Sequence, residues 1–190
     1  MYHFYAEKSN IGDTDIILYG DDVNHIKNVL RMHEGDELII CDSEGTDYHC
    51  KLKSLGKSEI IADILDSGIS EAEPGYRIHL FQGLPKKDKM EMIIQKSVEL
   101  GVYDVIPVMT KRVIVKLDDK KKEEAKLKRW QAISESAAKQ SGRGIIPEVK
   151  QCLSFKDALE FASSMDRVFI PYENAPSSSE NMREYMKMIS

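Results

Sequence analysis

Residues 78–110 read IHLFQGLPKKDKMEMIIQKSVELGVYDVIPVMT, and this stretch decides the fold. IHLFQGL (78–84) is a short apolar run that predicts a strand. KDKMEMIIQKSVEL (87–100) predicts a helix, stopped by Gly101, and VYDVIPVMT (102–110) predicts a second strand. Strand, helix and strand in about 30 residues predict a βαβ unit, hence a largely parallel sheet with helices on both faces. The rhythm continues downstream. DDKKKEEAKLKRWQAISESAAKQS (118–141) predicts a long helix stopped by Gly142. SFKDALEFA (154–162) opens on a capping-type Ser-x-x-Asp, RVFIPY (167–172) predicts a strand, and SSSE (177–180) starts a last amphipathic helix holding Met182, Tyr185, Met186 and Ile189.

Upstream the pattern is different. HFYAE, DIILYG, DELIICD, DYHCKLKSL and SEIIADILD are rich in β-branched and aromatic residues, and turns at 43–46 and 55–57 separate some of them. One helix, DDVNHIKNVLRM (21–32), interrupts the strands, with Asp21 or Asp22 as its cap. Val23, Ile26, Val29 and Leu30 form its apolar face. Five short strands and one helix predict a small β-barrel of OB or related type. GISEAEPG (68–75) reads as a linker. The expected organisation is a β-barrel over 1–72 and an α/β domain over 73–190.

Charge divides along the same line. The 190 residues carry a net charge of −5, yet residues 1–75 hold 6 Lys+Arg against 16 Asp+Glu, and residues 76–150 hold 17 against 10. A basic second module next to an acidic first one predicts an anionic partner on the second. No apolar run approaches a membrane span, and Met1–Tyr5 lacks the basic and apolar regions of a signal peptide. Three cysteines without a C-x-x-C pair predict neither a disulfide framework nor a zinc site, and a cytoplasmic protein. The five histidines are scattered, so no metal is expected.

Several stretches are candidates for chemistry. Gly83-Leu84-Pro85-Lys86-Lys87-Asp88-Lys89 lies where a strand gives way to a helix, the place where α/β folds bind ligands. It is neither a P-loop nor G-x-G-x-x-G, and a solvated lysine-rich turn is the competing reading. The basic run from Lys120 to Arg129 interleaves Glu123 and Glu124, which favours a solvated helix face. Arg112, after a strand end, either points into a cleft or caps a surface. ISESAAKQSGRGIIPEV (133–149) ends the long helix on small side chains, Ser134, Ala137, Ala138 and Ser141. Such residues admit another backbone closely, within the fold or across a subunit interface. Leu127, Trp130, Ile133 and Ala137 form the anchoring face. Arg143, between two glycines, is expected on flexible flanks, free to reach a phosphate or a developing anion.

Taken in order, these motifs resemble those of the bacterial 16S ribosomal RNA uridine-N3 methyltransferases of the SPOUT superfamily. The motifs are HIKNVLR (25–31) with Gly35-Asp36, QGLPK (82–86), Lys89-Met90, QKSVELGV (95–102), Ile106-Pro107 through Arg112 with Lys116, Arg129-Trp130, Glu135-Ser136-Ala137, QSGR (140–143) and Ile146-Pro147. The resemblance spans nearly the whole chain. It implies a PUA-like RNA-binding barrel, then a SPOUT-type α/β methyltransferase domain with a trefoil knot that holds S-adenosylmethionine, in a homodimer. The small-residue helix end would lie near the dimer interface, with Arg143 on the reaction side. The family's Gly-Pro-Glu-Gly-Gly and Leu-Gly-x-Arg-Ile-Leu-Arg segments are not in this sequence, so the chain is expected to stop before the knot and to be inactive alone. Tyr172 and Glu173 are expected at the rim of the cofactor pocket.

The implied reaction methylates N3 of a uridine in 16S ribosomal RNA or the assembled small subunit. N3 must lose its proton, and negative charge spreads over the base as it does so. Arg112, Gln140 and Arg143 are the expected catalytic donors. Glu99 or Glu135 is the candidate proton acceptor, or else a structural partner of Lys96 or Arg129. His25, Lys27, Arg31, Lys86 and Lys89 are the expected RNA contacts. The rival class is a non-catalytic RNA-binding fragment. A nucleotide-dependent enzyme is disfavoured because the phosphate loops are absent.

Overall fold

The computed structural model describes residues 1–86, 89–111 and 120–171. Two compact units divide them, Met1–Phe155 and one that begins at Lys156. The first unit opens with five strands: β1 (His3–Tyr5), β2 (Asp15–Tyr19), β3 (Glu37–Cys41), β4 (Thr46–Leu55) and β5 (Glu59–Ile69). They form one curled sheet in the order β1-β3-β4-β5-β2, antiparallel except where β1 runs parallel to β3. Alternation sets the inward face. Ile16 and Leu18, Leu38 and Ile40, Cys50 and Leu52, and Ile60 and Ala62 are all buried, one pair from each of β2 to β5. Fully burying one such aliphatic side chain contributes about 1.5–3 kcal/mol, so a slip by one residue would forfeit the whole face. Register shifts between His49 and Cys50 and between Leu52 and Ser54 interrupt the β4–β5 ladder, and bulges of this kind bend a sheet. The sheet remains open: β1 and β2 are its edges.

The helix over 21–32 differs from expectation in two ways. It starts as α1 (Asp21–Asn24), whose N-cap is Gly20 at φ 71°, not an aspartate, and Asp21 and Asp22 fall in its first turn. It then widens into a π-helical turn, His25–Val29, closed by Leu30 N–H donating to His25 O at 2.9 Å. The wider turn breaks the 3.6-residue period. Val23 and Ile26 are buried as the pattern predicts, Leu30 packs against the core, but Val29 turns outward and is 63% exposed.

The second half of the unit is the βαβ pattern. β6 (His79–Gly83), β7 (Asp104–Met109), β8 (Glu148–Val149) and β9 (Leu153–Ser154) are parallel, with β7 central. β8 and β9, not expected from the sequence, share one edge of β7, at its first and last residues respectively. β7 is buried from Asp104 to Val108, as a doubly covered parallel strand should be. α2 (Lys89–Glu99) and α3 (Lys120–Ser141) supply Met90, Ile94, Val98, Trp130, Ala137 and Ala138 to a core with Val105. Leu127 and Ile133 pack on it, so the anchoring face of α3 is as expected.

α4 (Phe155–Ala162) begins directly after Ser154, runs from the last residue of the first unit into the second, and buries Ala158 and Ala162. Residues 167–171 of the expected strand take no strand conformation, with Val168 and Ile170 exposed, and Tyr172 lies outside the described residues. The expected final helix, the knot and residues 172–190 lie outside the described residues. No helix among the described residues is long and apolar enough to cross a membrane.

Candidate functional site

The small end of α3 is where the two halves meet. α3 closes in a Schellman arrangement around Gly142 at φ 66°: Arg143 N–H donates to Ala138 O at 3.0 Å and Gly142 N–H to Lys139 O at 3.4 Å. Ser134, Ala137 and Ala138 are buried. Their short side chains let two partners approach the helix backbone. Ser134 Oγ donates to Pro147 O at 2.6 Å. From β1 of the first sheet, Tyr5 Oη shares its proton between Arg143 O at 2.5 Å and Ala138 O at 3.0 Å. A leucine at 138 would stand in the path of that tyrosine.

Arg143 corrects the expectation of a free arginine on flexible flanks. It is 3% exposed. Nε and Nη2 form a fork on the two carboxylate oxygens of Glu73, at 2.9 and 2.6 Å. Nη1 donates to Val98 O at 2.8 Å and to Val102 O at 3.0 Å. Val98 lies in the last turn of α2 and Val102 just beyond it, and α2 is closed by a Schellman arrangement around Gly101, where Val102 N–H donates to Ser97 O. The guanidinium thus satisfies late helix carbonyls and sits at the negative end of the α2 dipole. Glu73 completes the set by accepting from the amides of Gly144 at 2.8 Å and Ile145 at 3.2 Å.

Burial pushes the Glu73 carboxyl up, but the hydrogen bonds and charge of Arg143 and the amides of Ile145 and Gly144 outweigh it, and the net shift is downward from 4.5. A depressed carboxylate contributes stability that is present above its unfolded value and is lost as pH falls through the folded one. Unfolding followed by urea from pH 7 to pH 3 should therefore show a loss below about 4.5 in the unaltered chain. The loss should shrink in Glu73→Gln, and equal acid sensitivity in both would remove Glu73 from the account.

Three more ties run from the first sheet to the same segment. Cys41 Sγ donates to Gly144 O at 2.9 Å. Glu44 forms an antiparallel bridge with Ile145. Ser70, 3% exposed, packs where a side chain at Gly144 would project. Burial pushes the Cys41 thiol up to about 12 and raises Tyr5 above its ordinary range, so both are neutral donors. His3, Cys41 and Asp47 bring one potential ligand atom each within 4.8 Å of one another. No spacing in the sequence announces that grouping. The His3 Nε2–Asp47 distance is 3.3 Å, and His3 Nδ1 is buried without a partner. A protonated, hydrogen-bonded thiol is the state of a structural cysteine.

A cleft of about 620 Å³ adjoins this seam, lined by Glu73, Tyr76, Arg77, Tyr103, Asp104 and Lys150 among others. It lies at the amino ends of β7 and β8. Arg77 stacks 4.6 Å from the Tyr103 ring centre, and Asp104 receives His79 Nδ1 at 2.9 Å.

The other expected residues are dispersed. Gln140 is exposed on α3, whereas Arg143 is buried, so these two do not form one constellation. Arg112, Tyr172 and Glu173 lie outside the described residues. Lys86, between β6 and α2, and Lys89, the first residue of α2, are exposed at the carboxyl edge of the parallel sheet, where Gly83 faces Thr110. His25 is exposed, edge-on to Phe4. Arg31 is exposed and takes φ 54°, a left-handed conformation uncommon outside glycine. Lys27 is turned inward instead: Nζ donates to Gly56 O at 2.6 Å and Leu55 O at 3.3 Å, fastening the β4–β5 turn. Glu99 pairs with Lys96 at 2.7 Å, its structural reading. Arg129 reaches Glu91 on α2 at 2.9 Å, not Glu135. Glu73, Tyr5 and Cys41 were not foreseen. Their partners lie 70, 138 and 103 residues away, beyond any local spacing rule.

Comparison with known proteins agrees with this architecture. An RNA methyltransferase PUA domain model matches residues 18–65, and an RNA methyltransferase domain model matches residues 71–189. The chain is 38% identical to ribosomal RNA small subunit methyltransferase E of Bacillus subtilis, over 85% of this chain and 62% of that protein. It is 32% identical to the Mesomycoplasma hyopneumoniae protein of the same name, over 94% of this chain and 74% of that one. The crystal structure of the Neisseria gonorrhoeae enzyme of that name, bound to S-adenosyl methionine, superposes with a TM-score of 0.69 at 33% identity, covering 84% of this chain and 64% of that one. The chain thus spans less than two thirds of the length of its Bacillus relative. A curled five-stranded sheet of PUA type, joined through Glu73 to a SPOUT-type parallel α/β layer, places this chain in the RNA methyltransferase family.

Proposed function

We propose that the protein transfers a methyl group from S-adenosylmethionine to N3 of a uridine in small-subunit (16S) ribosomal RNA. The observation that carries this reading is the pair of RNA methyltransferase models, PUA and methyltransferase, matched in order along one chain. Residues 1–72 are the RNA-binding module and residues 73–190 the methyltransferase module. The protein works as a cytoplasmic homodimer on ribosomal RNA or the small subunit.

S-adenosylmethionine supplies the electrophilic methyl group, and the carboxyl edge of the parallel sheet is the side to which α/β layers bring ligands. Gly83 presents bare backbone there, and Lys86 and Lys89 are exposed beside it. This chemistry fits a polyanionic substrate. Tyr172 and Glu173 hold the cofactor rim. His25 and Arg31 meet the RNA, and the strained backbone of Arg31 fits a residue held for contact. Lys27 supports that face from below through its two carbonyl acceptors. Negative charge grows on the uracil as N3 loses its proton, so fixed donors lower the barrier. Arg112 and Gln140 are the donors of this reading. All three guanidinium nitrogens of Arg143 already donate to protein acceptors, which gives it a different task.

Purified protein, cofactor labelled in its methyl group, and small subunits or 16S RNA lacking the modification make the test. Label should enter RNA at one uridine. An N3 methyl blocks the base-pairing edge, so reverse transcription should stop there. Absence of label from RNA, with RNA still bound, would leave a binding protein and end the proposal.

A further inference from the structure

The hydrophobic cores of the two sheets share no residue: one is built from Phe4 to Ile64 and the other from Leu80 to Val149. Modules joined this way move relative to each other unless something directional holds them. In this chain the directional contacts converge on Arg143, Gly144 and Ile145. Tyr5 from β1, Cys41 from β3, Glu44 from the following turn and Glu73 from the connecting segment all reach those three residues. From the other side, Val98, Val102 and Ala138 hold the same segment through Arg143 and its backbone. Hydrogen bonds fix an angle in a way that apolar contact does not, because each weakens steeply when bent.

We propose that Glu73, Arg143 and Tyr5 are positioning residues for the RNA. They hold the first sheet at one fixed angle to the parallel sheet, so that RNA gripped by the first is delivered in register to the carboxyl edge of the second. None of the three touches the reacting atoms. The inference rests on the RNA methyltransferase reading above. It explains why a segment of linker-like composition places the Glu73 carboxylate in a buried fork. It also explains why the α3 end carries small residues: the tyrosine that reports the position of the first sheet must reach the helix backbone.

The test uses spin labels at Ser67→Cys and Lys128→Cys, exposed positions on β5 and α3, in a Cys152→Ser background. Pulsed distance measurement should give one narrow distribution. Glu73→Gln and Tyr5→Phe should each broaden it. In the same variants without labels, KM for RNA should rise on the order of tenfold, because only the aligned fraction of molecules offers both surfaces to one RNA. kcat at saturating RNA and cofactor affinity should stay within about twofold, since no group at the reaction centre is removed. Should Glu73→Gln fail to fold, Tyr5→Phe, which keeps its ring, carries the test. A narrow, unmoved distribution in the folded variants overturns the inference. So does a broadened distribution with unchanged KM. If the unaltered protein moves no methyl group, the functional reading fails instead, and the KM arm is replaced by RNA affinity, expected to fall by the same factor.

Discussion

Arg143→Ala should destabilise the protein by about 3–5 kcal/mol, the cost of leaving one partner of a buried ion pair alone. Three groups lose their donor together. The Glu73 carboxylate keeps only the amides of Gly144 and Ile145, the Val98 carbonyl keeps only the Gly101 amide, and the Val102 carbonyl loses the guanidinium. Against a typical total of about 5–15 kcal/mol this is a large fraction, and it should appear as a lower urea midpoint with an unchanged slope. Arg143→Lys should recover less than half, because a point charge cannot span both Glu73 oxygens and both carbonyls. Glu73→Gln with Arg143→Ala should cost less than the sum of the two single changes, since the second removes the charge the first strands. A melting curve for Arg143→Ala that overlays the parent would show that the fork is not formed in solution. An exposed, catalytic Arg143 would behave oppositely, with activity lost and stability kept.

That contrast locates the boundary of what sequence reveals. Period and punctuation carried the elements: alternation marked β2 to β5, and Gly101 and Gly142 marked the helix ends that the Schellman bonds confirm. The order of motifs carried the family. Three things failed for physical reasons. The π-helical turn at His25–Val29 has no local signature, so the helical period predicts Val29 inward where it faces out. RVFIPY has strand composition, yet its residues 167–171 take no strand conformation. At Arg143 the glycine neighbours predict freedom that the residue does not have. Gly142 in fact serves the helix end, and Gly144 makes room for Ser70. A buried arginine is recognisable only once its carboxylate is known, and Glu73 stands in a segment whose composition reads as linker. Of the expected RNA contacts, Lys86, Lys89, His25 and Arg31 are exposed, whereas the Lys27 ammonium is turned onto a backbone turn that no local spacing reveals.

Gly144→Ala should cost about 3 kcal/mol, the upper end of the range for overpacking a well-filled site. The added methyl would collide with Cβ and Oγ of Ser70 and come within 3.4 Å of Glu73 Cγ. Ser70 cannot step aside: it is buried, and its N–H donates to Gly45 O at 2.9 Å. Gly144 cannot retreat either, because its amide is held by Glu73 and its carbonyl by Cys41. Relief must therefore come by parting the two sheets. Gly142→Ala provides the control. No atom lies within 4 Å of its added methyl, so its cost is the left-handed backbone alone, about 1–2 kcal/mol. Ser70→Gly should then separate the two mechanisms. It should restore much of the stability lost in Gly144→Ala, by removing the atoms in collision, and none of that lost in Gly142→Ala. Asn at 142, which tolerates φ 66°, should cost less than Ala there, whereas Asn at 144 should be worse than Ala. Equal rescue of both glycine variants by Ser70→Gly would mean that the close approach of Ser70 to Gly144 does not hold the seam.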